Sequence, residues 1–188
     1  MRIGEAQREM RQVYIGGSVG MFVSGVLWLT SAAVGTWGSR TQAILVLIVG
    51  GVFIFPLSVL VLRALGRPGF VSRANPLNAL AMQVAFTVPL AIPLILAATR
   101  GHPEWFYAGF LIVVGAHYLP FVTLYGQPAF FAPAAVMVSA GFMLPPLRPQ
   151  DFTLGGWVGG VVLLLLGAWL ATLHSSESAR LARKPHSP

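Results

Sequence analysis

A chain of 188 residues that is 56% hydrophobic and only 9% charged cannot be an ordinary water-soluble domain, in which about 25% of residues are charged; its solvent has to be lipid. The absence of cysteine excludes disulfides, iron–sulfur ligation and cysteine-based zinc sites. The net charge of +7 does not indicate a nucleic-acid partner, because the basic residues sit at the ends of apolar segments rather than on one face; there they suit the headgroups of a lipid bilayer, the first partner expected.

Five windows contain no Asp, Glu, Lys or Arg: Gln12–Ser39, Thr41–Leu62, Ala74–Thr99, Trp105–Leu147 and Phe152–Ser176. A membrane-crossing helix needs about 20 mostly apolar residues to traverse roughly 30 Å of hydrocarbon. A charge at its centre costs about 2.5–3.5 kcal/mol. Four windows hold one span each, and Trp105–Leu147 holds two. The fold class is therefore all-α, a polytopic membrane bundle of six transmembrane helices. Residues 1–12 form a cytoplasmic surface segment, 13–174 the transmembrane domain and 175–188 a polar cytoplasmic tail.

In chain order, residues 1–12 read as a short polar helix on the membrane surface. The first apolar run is longer than the roughly 7–15 residues of a signal-peptide core, so it reads as a span rather than a cleaved leader. The first span covers about Val13–Trp37 and the second about Gln42–Leu65. Gly66-Arg67-Pro68-Gly69 breaks the chain. Asn75 then caps the third span, with Pro76 at the first helical position, where its missing N–H costs nothing. That span ends near Thr99, and Gly101-His102-Pro103 turns the chain into the fourth, about Glu104–Tyr125. The fifth, about Phe130–Leu144, is stopped by Pro145-Pro146; at roughly 22–27 Å it is short of the full layer. The sixth covers about Leu154–His174.

Arg and Lys are distributed unequally between the two sides. Arg2, Arg8, Arg11, Arg63, Arg67, Arg73, Arg180, Arg183 and Lys184 fall on the side of the termini, against Arg40, Arg100 and Arg148 on the other. This bias predicts that both termini are cytoplasmic, in a cell inner membrane, with Trp37, Trp105 and Trp157 at the outer interface. One internal echo stands out. Leu65-Gly66-Arg67-Pro68-Gly69-Phe70 resembles Tyr125-Gly126-Gln127-Pro128-Ala129-Phe130, which suggests a weak hairpin repeat relating spans 2–3 to spans 4–5.

Polar groups inside spans must find partners. His117 lies about eight residues, or roughly 12 Å, from the inner end of span 4. Gln83 lies at a similar depth on span 3, Ser58 in the inner half of span 2, and Asn78 and Tyr118 complete a patch. As a ligand-binding hypothesis these five line a cytoplasm-facing cavity in which His117 handles a proton or a polar solute. As interhelical hydrogen bonds they would each contribute only about 0.6 kcal/mol on average. One imidazole cannot make a metal site, and His102, His174 and His186 fall at loops or ends.

Pro89 and Pro93 in span 3, Pro120 in span 4, and also Pro56 and Pro133, are candidate helix kinks, since each removes a backbone bond. Gly16, Gly20 and Ser24 on span 1, and Gly155/Gly159 and Gly156/Gly160 on span 6, have the four-residue spacing that lets helices approach closely. They predict packing of span 1 on span 6, or a homodimer through the same face. No catalytic constellation, metal set or cofactor motif is present: Asp151 and Glu104 sit at the end opposite His117, and no pair of carboxylates shares a span.

Through Gly115-Ala116-His117-Tyr118-Leu119-Pro120-Phe121 and Leu124-Tyr125-Gly126 the chain resembles a group of uncharacterised small bacterial integral membrane proteins, over about Gln12–Trp169. The resemblance implies a six-helix membrane fold, carries no activity, and singles out His117, Tyr118 and Pro120. Two functions follow as expectations: a small-solute carrier or permease with His117 and Gln83 in its site, and, as the alternative, a non-catalytic membrane subunit or scaffold acting through helix faces on another subunit. An intramembrane enzyme ranks below both.

Overall fold

The computed structural model describes residues 1–182, with side chains to Ser176; Arg183, Lys184 and His186 lie outside the described residues. Eight α-helices follow in order: α1 Ile3–Tyr14, α2 Ser18–Trp37, α3 Arg40–Ala64, α4 Leu77–Thr99, α5 Trp105–His117, α6 Leu119–Tyr125, α7 Phe131–Leu147 and α8 Leu154–Ala182. With α5 and α6 taken as one kinked rod, six segments are long and apolar enough to cross a membrane. The described chain contains no strand.

The first span begins later than its composition suggests. Ile15, Gly16 and Gly17 all have positive φ (49°, 62° and 85°), and they swing the chain from α1 into α2. A β-branched residue there is an outlier; the two glycines take up the rest of the turn at no steric cost. α1 is amphipathic. Ala6, Met10 and Val13 are buried under the bundle, while Arg2, Glu5 and Arg8 face away. It is therefore docked against the end of the bundle, here called the proximal end, and not only laid on a surface.

The fifth span is longer than expected. With the turn at Pro128–Phe130 it covers 20 residues, about 30 Å at 1.5 Å per residue. Pro145 and Pro146 lie inside α7, because a proline's fixed φ is itself helical. The helix ends at Arg148, at φ −141°, where the following Pro149 disfavours the α region. Pro133 sits in the first turn, where no helical bond is lost. α8 likewise continues past His174 to Ala182, through the stretch read as tail.

Packing sorts the helices into a core and two outliers. α8 lies along α2 and also touches α5 and α7; α5 lies along α7. The space between them is filled by Met21, Trp28, Tyr107, Leu111, Met137, Leu163 and Leu170, all fully buried. By contrast α3 rests chiefly on α2, and α4 on α5 and α6.

The echo between residues 65–70 and 125–130 is a likeness of turns. Gly66 and Gly126 are both left-handed (φ 73° and 62°). The next residue in each case, Arg67 or Gln127, donates its N–H to the carbonyl five positions back, Leu62 or Val122, at 2.9 and 3.2 Å. This is a Schellman-type helix stop. Beyond it the two hairpins diverge. α5 and α7 pack side by side, whereas α3 and α4 are joined by the long 65–76 loop and do not form a packed pair. The likeness between the two segments is thus that of a repeated helix stop.

Candidate functional site

Of the five residues expected to line a cavity, Ser58 and Asn78 are closed on nearby carbonyls. Ser58 is buried, and its hydroxyl donates to the Ile54 carbonyl of its own helix at 2.6 Å. Such back-bonding needs no partner helix. Asn78 lies at the proximal end, where its amide donates to the Ser72 carbonyl at 2.9 Å. Tyr118 is buried among rings, stacked on Phe130 and edge-on to Phe121. His117 is half-buried on the α5 side of the α4–α5 contact, with Nδ1 3.1 Å from the Thr87 hydroxyl. That hydroxyl already donates to the Val84 carbonyl at 2.7 Å, so at the ring it acts as acceptor.

Gln83 is exposed on α4, one helical turn from Thr87 on the proximal side. Among the described residues nothing bonds to its amide. In lipid an amide without a partner costs several kcal/mol, because hydrocarbon offers neither donor nor acceptor. Thr87, next to His117, had no place in the sequence reading; its spacing of four from Gln83 was the available signal.

The prolines separate in the same way. α4 is one continuous helix through Pro89 and Pro93, and α3 through Pro56. The fourth span is the one that divides, between His117 and Leu119. Here the Tyr118 and Phe121 amides bond three residues back, to Gly115 and Tyr118, each at 3.1 Å. Pro120 supplies no N–H, which is sufficient reason for the tightened turn.

The glycines differ in what lies beside them. A Cβ at Gly159 would overlap Trp28, one at Gly160 would reach 2.6 Å from Leu29, and one at Gly25 would reach 3.1 Å from the Gly160 carbonyl. α2 and α8 therefore approach closely, as small residues allow. Gly155 faces Tyr107 of α5 instead. Gly16 faces His174 and Leu170 of α8, but from the turn that precedes α2. Gly20 has open space around it, so the span 1 seam runs through Ser24 and Gly25 rather than through Gly20.

Two polar knots went unread. At the distal end, opposite α1, the buried Ser31 hydroxyl donates to the Ala43 carbonyl at 2.8 Å and meets the Tyr107 hydroxyl at 2.6 Å. Ser31 has a single proton, so Tyr107 is the donor between the two, and one atom links α2, α3 and α5. At the proximal end Glu9 accepts from the Ser72 amide (2.7 Å) and from Asn75 Nδ2 (2.8 Å). Those bonds hold the Glu9 carboxyl below its ordinary value near 4.5, the Ser72 amide contributing most. Asn75 Oδ1 meanwhile accepts from the Leu77 amide at 2.9 Å, the capping role its place before Pro76 suggested. Gln7 and Arg11 donate to the Thr123 and Tyr125 carbonyls. α1 thus clasps the 65–76 loop on one side and the end of α6 on the other. His174, taken from the sequence as an end residue, is buried beside Gly16.

An open groove lies at the proximal end, lined by Ile15, Ser18, Val19, Phe22, Val61 and Ala171. A smaller cleft at the distal end holds Glu104, Arg148 and Asp151, where Asp151 Oδ1 caps α8 through the Leu154 amide at 2.9 Å. Fold and packing together define an integral membrane protein of six apolar helices, four of them around a filled interior. Residues 3–173 match a family of unknown function, DUF7010, and the chain belongs to that family. No curated protein and no solved structure matches the chain.

Proposed function

We propose that this protein is a non-catalytic membrane subunit that works through its helix faces, in a bacterial inner membrane with both termini cytoplasmic. The observation that carries the reading is the filled interior: Trp28, Tyr107, Leu111, Met137 and Leu163 occupy the space between the four core helices. A carrier needs a water-lined site near mid-membrane, reached from one side and then the other. Here Ser58 and Asn78 are each closed on a neighbouring carbonyl, and His117 meets the Thr87 hydroxyl at the α4–α5 contact. The orientation rests on nine Arg and Lys on the side of the termini against three on the other.

The native chain has no cysteine, so single-cysteine variants can be read without background. His117→Cys and Tyr118→Cys in native membranes are expected to resist a membrane-impermeant thiol reagent from either side. Rapid labelling of either one would overturn the subunit reading and support a carrier. The carrier is kept as the second reading on one observation, the division of the fourth span at Pro120 beside His117. Interrupted spans are where transporter sites are usually found.

A further inference from the structure

The polar groups of the outlying helices differ in one respect. On α3 the one polar side chain within the membrane-deep stretch, Ser58, is closed on its own backbone, and the outward face offers lipid only groups such as Val52, Phe53 and Leu60. On α4 the exposed face reads Gln83, Phe86, Leu90 and Leu94, with Leu90 and Leu94 about three-quarters exposed (77% and 74%). Gln83 is the seventh residue of the helix, about 9 Å from its proximal end. Apolar side chains gain little by leaving lipid for one another, so it is the polar group that marks a face for association.

We propose that this face of α4 is a homodimer interface, closed by the Gln83 amides of two copies. The inference deepens the subunit reading, on which it rests, by naming the partner as a second copy of this chain. Its geometry follows from insertion. All copies enter the membrane with the same orientation, so a closed two-fold axis must lie along the membrane normal. The two α4 helices then run parallel, and identical residues meet at the same depth. A primary amide is self-complementary: Nε2 donates and Oε1 accepts. Two Gln83 side chains facing across the axis therefore satisfy each other with two hydrogen bonds, which no lipid tail can do. Phe86, Leu90 and Leu94 recur at three- and four-residue steps from Gln83, the spacing of a helix–helix seam.

The test uses the whole protein in native membranes and in lipid nanodiscs. Oxidation of Leu90→Cys is expected to trap a disulfide dimer at twice the 20.1 kDa of the monomer. Val52→Cys, on the outward face of α3, is expected to stay monomeric. Gln83→Leu is expected to weaken association about tenfold in a reconstituted fluorescence-transfer titration, a loss of about 1.4 kcal/mol. Gln83→Asn, which keeps an amide, is expected to restore most of it. Both substitutions lie on an exposed face, so elution as a single folded species is expected throughout. Equal trapping of Leu90→Cys and Val52→Cys, or an unchanged titration for Gln83→Leu, would refute the interface. Trapping of Leu90→Cys onto a different membrane protein would also refute it, while leaving the subunit reading in place. Labelling of His117→Cys by the impermeant reagent would overturn that reading separately.

Discussion

The α2–α8 seam and the outer faces of α3 and α4 are made of equally apolar sequence, yet they are built on opposite terms. At the seam, glycines at 25, 159 and 160 bring the backbones so close that a Cβ at any of them meets the opposite helix at 3.1 Å or less. On the outer faces, Val52, Phe53, Leu90 and Leu94 are more than half exposed and touch little of the protein. In lipid there is no hydrophobic gain in pressing two apolar surfaces together, so what distinguishes the regions is close packing of small residues plus a few hydrogen bonds. The core has both. α3 is attached by close contact with α2 and by the Ser31–Ala43 bond at its distal end.

The largest effect should come from the seam. Gly159→Leu would drive a side chain into Trp28, and failure to recover a single folded species in detergent is the expected result. Gly159→Ala should cost about 1–3 kcal/mol from overpacking, seen as a lower thermal midpoint. Gly20→Ala, in open space, should be neutral or gain up to about 1 kcal/mol from helix propensity. Equal midpoints for the two alanine variants would erase the contrast.

Next comes the distal knot. Ser31→Ala removes the partner of the Tyr107 hydroxyl and the donor to Ala43. A loss of about 1–2 kcal/mol is expected, with faster hydrogen exchange at the start of α3. Tyr107→Phe leaves Ser31 bonded to Ala43 and should cost less, so the order of the two variants sharpens the assignment of donor and acceptor. A truncation on the lipid side, Val52→Ala, should change stability by no more than about 0.5 kcal/mol; a drop comparable to that of Gly159→Ala would mean that α3's outer face is packed after all.

The smallest effect concerns α1. Because the Ser72 and Asn75 bonds hold the Glu9 carboxyl below its ordinary 4.5, its contribution to docking α1 is full above that value. It fades as pH falls through the lowered one. Protease cleavage within residues 65–76 should therefore rise as the pH is taken progressively below 4.5, and Glu9→Gln should show the higher rate already at pH 7. A rate independent of pH would detach Glu9 from the docking.

The proximal knot shows how far local signals reach. Asn75 before Pro76 announced a helix start, and its Oδ1 does cap the Leu77 amide. That its Nδ2 also bonds Ala6 and Glu9 depends on where α1 docks, and nothing at residue 75 encodes it. Ser31 and Tyr107 give no sign of each other across 75 intervening positions. Gln83 and His117 are legible in the sequence as polar groups in spans, but depth alone does not say which way either faces.

By itself the sequence determined that there are six membrane-crossing helices and roughly where each lies, because the free energy of placing a segment in lipid is close to a sum over its own residues. It also located the helix stops at Gly66 and Gly126, where backbone conformation is set locally. Only the tertiary structure decided which helices form the core, that Gly20 is idle while Gly25 is not, and that Gln83 faces out. Spans that are apolar all round carry no stripe to mark an inner side. The choice falls instead to contacts between residues far apart in the chain, made or lost over distances of an ångström.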